Sequence, residues 1–142
     1  MKMKKYIAAI FVLVLVMLGG CSSSEGSEKS PLMGTEWILF EMDGIKYESS
    51  SGTNVTLSLV KLDTKISGKA PCNTYGGGYT KIKDKLSFWK VFTTEMACAD
   101  MEKESAYYKL LEKVYKYRIS GDKLYLIDFS GTVILRYKSQ KS

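Results

Sequence analysis

The chain has 142 residues with 21 basic and 15 acidic side chains, a formal charge of +6, and no histidine. Without histidine no Cys–His nucleophilic pair can be assembled, and the commonest zinc and iron ligand is missing. The basic residues form no arginine-rich stripe with interleaved aromatics, which argues against nucleic acid as a partner.

At the start of the chain, Lys2, Lys4 and Lys5 precede an apolar run from Ile7 to Leu18 that closes on Gly19-Gly20. That order is the signature of a secretory signal peptide over residues 1–20. The run is too short to span a bilayer core of about 30 Å at about 1.5 Å per residue. The tetrad Leu18-Gly19-Gly20-Cys21 resembles a bacterial lipobox, in which the cysteine thiol receives a diacylglyceryl group before cleavage. Cys21 is then the lipidation site and the first mature residue; an ordinary secreted protein with a coincidental cysteine is the alternative. Acyl chains contribute about 0.8 kcal/mol per buried methylene, so the expected location is the extracytoplasmic side of a bacterial membrane, periplasmic or at the cell surface. Three of the 21 basic residues lie in the leader, leaving 18 against 15 acidic ones. Residues 21–30 are Cys-Ser-Ser-Ser-Glu-Gly-Ser-Glu-Lys-Ser, a flexible tether with nothing apolar after the cysteine to drive ordering. Residues 31–142 suffice for one small domain.

Beyond Pro31, short β-rich runs alternate with turn residues. Thr35 to Met42 is followed by the turn pair Asp43-Gly44, and Val55, Leu57 and Leu59 alternate with Thr56 and Ser58, which predicts a half-buried strand. Further strands are expected near Ile66 to Thr74, Gly78 to Ile82, Leu86 to Val91, Tyr115 to Ile119, Leu124 to Ile127 and Val133 to Tyr137. Ser120-Gly121-Asp122 and Ser130-Gly131 read as hairpin turns. One segment departs from this pattern: Tyr107, Leu110, Leu111 and Val114 recur at helical spacing and predict a helix from Met101 to Lys113. Asp100 is its candidate N-cap, and Glu102 and Glu104 suit the positive end of its dipole. The fold class is therefore mainly β, a small antiparallel meander forming a barrel-like sheet with one α-helix packed against it.

With Cys21 lipidated, Cys72 and Cys98 are natural disulfide partners in an oxidising compartment. Such a bond would contribute about 3.5 kcal/mol through chain entropy; two buried, reduced thiols are the alternative. No Cys-x-x-Cys redox motif is present. Asp43, Asp63, Asp84, Asp122 and Asp128 mostly fall at turns and read as turn formers rather than as a calcium site. Gly76-Gly77-Gly78 lacks the lysine and helix of a phosphate cradle and reads as a place where a strand bends or meets another backbone closely. Asn73 reads as satisfying local backbone groups, Tyr75 as a packed strand residue with its hydroxyl at the rim, and Glu36 as solvent-facing beside Trp37. No catalytic residue, metal site or cofactor is expected.

Three blocks then combine. Leu32-x-Gly34-Thr35-Glu36-Trp37-x-Leu39, Gly68-x-Ala70-x-Cys72-Asn73-x-Tyr75-x-Gly77-x-Tyr79 and Thr94-x-Met96-Ala97-Cys98 together resemble the META domain, the family that includes the heat-shock-associated HslJ lipoproteins. The resemblance covers nearly the whole mature domain, with Pro71 standing where many relatives carry Gly. It implies a small barrel-like domain crossed by one helix, no established catalytic activity, and an association with envelope stress, drug tolerance and, in some parasites, virulence. The expected function is that of a non-enzymatic, membrane-anchored envelope lipoprotein that binds an envelope protein or small-molecule ligand and contributes to stress tolerance. Inhibition of a secreted hydrolase such as a lysozyme or protease is the alternative, since a rigid loop on a stapled barrel suits an enzyme cleft. An enzyme using carboxylates alone would need two acids converging in a pocket.

Overall fold

The computed structural model describes residues 28–140. The leader, Cys21 and the tether up to residue 27 lie outside the described residues. The elements follow as β1 (Glu36–Met42), β2 (Ile45–Lys46), β3 (Thr56–Leu59), β4 (Lys65–Lys69), β5 (Thr74–Ile82), β6 (Lys85–Thr93), α1 (Met101–Glu112), β7 (Val114–Ser120), β8 (Lys123–Asp128) and β9 (Val133–Ser139). Strands β1, β3, β4, β5, β6, β7, β8 and β9 pair antiparallel in that order, and β9 returns to β1. Eight strands therefore close a barrel, the seam between β6 and β7 being paired only where Lys85 opposes Lys116. β2 is a two-residue arm folded back on β1, with Met42 opposite Ile45. Asp43 and Gly44 between them both have positive φ, 51° and 79°, as a type I′ turn requires.

Strand alternation turns Trp37, Leu57, Leu86, Leu124, Leu135 and Tyr137 into the barrel, where each is fully buried. At about 1.5–3 kcal/mol per large apolar side chain, this interior dominates the stability. Helix α1 covers the end of the barrel where β1 finishes and β7 begins, burying Tyr107, Leu110 and Leu111. Val114, the next residue of the same apolar stripe, is already the first of β7. Buried Leu32 covers the opposite end, its carbonyl accepting the Trp37 indole N–H at 3.0 Å.

Several expectations are corrected. The strand expected from Ile66 to Thr74 is two strands, because Pro71 has no N–H for a ladder and Ala70 N donates across a turn to Asn73 O at 2.7 Å. β5 accordingly begins at Thr74 rather than Gly78. Asp100 does stand at the N-cap of α1, but its side chain makes no capping bond, its carboxylate being taken by Ser50 instead. At the three glycines the sheet forms a bulge in which Gly76 opposes Phe92, Gly78 opposes Trp89, and Lys90 and Val91 share the space across from Gly77. The close approach there is mostly to rings: a Cβ on Gly78 would lie 2.3 Å from the Trp89 indole. The aspartates do form turns. Asp128 shows how, accepting from Ser130 Oγ at 2.7 Å and Thr132 N at 2.9 Å.

Candidate functional site

Five of the motif residues, Cys72, Asn73, Thr94, Met96 and Cys98, meet at the helix-covered end of the barrel. A disulfide joins Cys72 to Cys98 with their Cα atoms 5.8 Å apart, in place of two reduced thiols. Asn73 is saturated by its surroundings. Its Oδ1 accepts from Met96 N (2.7 Å) and Thr94 Oγ1 (2.9 Å), and its Nδ2 donates to Met96 O (3.1 Å) and Glu104 Oε1 (2.6 Å). Glu104 in turn accepts from Cys72 N at 2.7 Å and Asn73 N at 2.8 Å. Helical spacing puts Glu104 on the face of Tyr107 and Leu111, so it is buried, and its work is to receive N–H groups rather than to offset the dipole. A carboxylate on the apolar stripe of a helix was the sequence signal for this role. Every polar atom of Asn73 is spent on structure, leaving none to hold a ligand.

The Tyr75 hydroxyl is not at the rim. It points into the barrel, donating to Thr56 O at 2.8 Å and pairing with Tyr107 Oη at 2.8 Å, which pairs with Tyr137 Oη at 3.0 Å. Gly68 permits this, because a Cβ there would lie 2.0 Å from Thr56 O and 2.7 Å from Tyr75 Oη. Burial pushes all three phenols well above their ordinary range, so the chain is neutral and supplies no phenolate nucleophile. The remaining motif residues disperse: Trp37, Gly77 and Tyr79 line the barrel wall, Tyr79 Oη donating to Val60 O at 2.9 Å. Gly34 and Thr35 sit at the far end, where Thr35 Oγ1 donates to Pro31 O at 2.6 Å. The motif is a folding kit, with no reacting groups converging in it. Among the described residues no three Cys, Asp or Glu side chains come together as a metal site.

A groove of about 560 Å³ lies outside the barrel, between the β1–β2 hairpin and α1. Met42, Ile45, Tyr47, Ala106 and Leu110 supply its apolar surface, and Ile45 is 73% exposed there. Lys46, Lys103, Lys109 and Lys113 stand around it against only two acids, Asp43 and Glu48. A polar clasp fixes one wall. Ser50 donates to Asp100 through N (3.0 Å) and Oγ (2.7 Å), while Lys103 Nζ reaches Glu48 O at 2.8 Å and Asp100 Oδ1 at 3.1 Å. The Ser50 hydroxyl, aided by Lys103, holds the Asp100 carboxyl below its ordinary pKa. Lys46 pairs with Glu48 at 2.8 Å, whereas Lys109 and Lys113 meet no carboxylate in ion-pair range among the described residues. Tyr47 Oη is buried without a partner. The neighbouring Ser49 Oγ is occupied by Ser51 and by the Thr53 backbone. No residue pattern announces this groove, because one of its walls, β2, is too short to show any alternation.

The META domain family model matches residues 30–141. The chain belongs to the META domain family. Among curated proteins none matches it. This META domain is similar to an NMR structure of a protein from Burkholderia xenovorans, with TM-score 0.63 and 24% identity over 88% of this chain and 100% of that one. A second protein solved by NMR aligns with TM-score 0.60 and 21% identity over 75% of this chain and 90% of its own. A crystal structure of a DUF4847 family protein from Bacteroides vulgatus ATCC 8482 gives TM-score 0.50 and 12% identity over 62% and 60%. At these identities the likeness is one of fold. Neither the family nor these neighbours give a sign of enzymatic function.

Proposed function

We propose that this META domain is a non-enzymatic binding module of the cell envelope, held to a membrane through lipidated Cys21, and that it binds its ligand in the groove between α1 and the β1–β2 hairpin. The observation that carries the reading is the contrast between the barrel interior and the groove. The barrel interior is filled by Trp37, Tyr75, Tyr107, Tyr137 and their leucine neighbours, whereas the groove is open, apolar and of about 560 Å³, within the range of about 300–1,000 Å³ usual for small-molecule sites. The leader and the tetrad ending in Cys21 support the anchor, and the family resemblance supports a part in stress tolerance.

The test is a titration of the purified chain with a neutral, environment-sensitive apolar dye, beside an Ala106→Trp variant whose indole fills the groove. Saturable fluorescence enhancement that the variant loses is the expected result. Equal enhancement in the folded variant would remove the groove from consideration. Cys21→Ser is expected to move the protein from the membrane fraction to the soluble one, and continued sedimentation with membranes would end the anchor.

A further inference from the structure

We infer that the groove takes a single-chain anionic amphiphile, a long-chain fatty acid, with its tail on the apolar floor and its carboxylate between Lys109 and Lys113; this rests on the groove being the binding site. The floor and the rim ask for different things. Met42, Ile45, Ala106 and Leu110 offer apolar surface with Ile45 largely open to water, and burying it favours a hydrocarbon. The rim is cationic, with four lysines against Asp43 and Glu48. Two of the four are already committed, Lys46 to Glu48 and Lys103 to Asp100. The other two, Lys109 in the last turn of α1 and Lys113 at its C-cap, are exposed and four residues apart, a spacing at which like charges repel. Their position at the end of the helix suits its dipole but leaves both ammonium groups without a counter-charge. A carboxylate placed between them relieves the repulsion and gains two charge-assisted hydrogen bonds. A neutral chain gains neither, and a cationic head is repelled. Tyr47, which also lines the groove, keeps its hydroxyl buried and unpaired.

The experiment follows backbone amide resonances of the purified full chain during titration with hexadecanoate or hexadecanol, both below the concentrations at which they aggregate. Hexadecanoate is expected to shift resonances of the β1–β2 hairpin and α1, binding at least tenfold more tightly than hexadecanol. A Lys109→Glu/Lys113→Glu variant, folded by its resonance dispersion, is expected to lose that advantage while binding hexadecanol as before. Equal affinity for acid and alcohol in the groove overturns the charge inference and leaves the binding site standing. No shift in either element with either compound overturns both. Two other outcomes assign the groove elsewhere and overturn the inference: the same shifts with anionic vesicles but not with monomeric acid, or self-association abolished by Ala106→Trp without acid binding.

Discussion

At Glu104 a carboxylate only 4% exposed accepts three N–H groups and pairs with no cation among the described residues. Removing it strands the Cys72 and Asn73 amides, and each buried donor left unpaired costs about 1–3 kcal/mol. Glu104→Gln keeps one oxygen for the two backbone amides but turns its NH₂ toward Asn73 Nδ2. It is expected to lower stability at neutral pH by about 1–3 kcal/mol, with Glu104→Ala losing more. Urea denaturation checks this, and a Gln variant as stable as the parent would show that the three donors find other partners. Asn73 was legible as a backbone-satisfying residue, because short amides do that in turns. Glu104 was legible as a carboxylate on an apolar stripe, but its partners were not. Its partners lie 31 and 32 residues away in sequence, and only the turn at Pro71 aims their N–H groups at the helix.

Among the elements, alternation was sufficient wherever a strand had one wetter and one dry face, as in β1, β7 and β8; in β3 it located the strand but not the burial of Thr56 on its polar face. It failed at β4 and β5, where strand-forming residues run through the corner at 70–73 and only Pro71 hints at a break. It could not register β2, whose two residues are a strand only because β1 lies beside them. The helix stripe was legible because four large side chains recur at its period. What holds that helix in place combines Glu104 with the Cys72–Cys98 bond, which closes a separation of 26 residues and so removes chain entropy worth about 3.5 kcal/mol. A Cys72→Ser/Cys98→Ser variant is expected to lose stability of that order in urea. Hydrogen exchange should quicken more in the first turns of α1 than in β7 to β9. Unchanged stability would mean that the closed loop is already ordered in the unfolded chain.

For the molecule as a whole, the buried tyrosine chain sets an alkaline limit. Tyr75, Tyr107 and Tyr137 have folded pKa values raised well above 10.0, chiefly by burial. The folded protein therefore keeps protons that the unfolded chain releases. Their contribution is fully present below pH 10 and declines as pH rises beyond it, by up to about 1.4 kcal/mol per pH unit for each tyrosine. Denaturation midpoints measured above pH 10 are expected to fall steeply, and less steeply in Tyr137→Phe. Tyrosinate absorbance from all three in the still-folded protein would contradict the burial argument. The barrel itself was legible from strand count and period, but the groove was not, since it arises where a hairpin and a helix distant in sequence come to lie side by side.

The seam of the barrel carries one more consequence. Ser30 Oγ donates to Ser139 Oγ at 3.1 Å, and Ser30 N donates to Gly121 O at 3.0 Å, so the first and last described segments are sewn together. Because β9 runs from Leu135 beside Met42 to Ser139 beside Trp37, this join lies at the pole away from the groove. Topologically the domain is a ring with a single nick. Linking residue 140 to residue 30 and reopening the ring at the exposed Ser130-Gly131 turn preserves every strand neighbour, which is the condition under which circular permutation is tolerated. A partner joined at residue 30 or at residue 140 emerges at the same pole and leaves the groove uncovered.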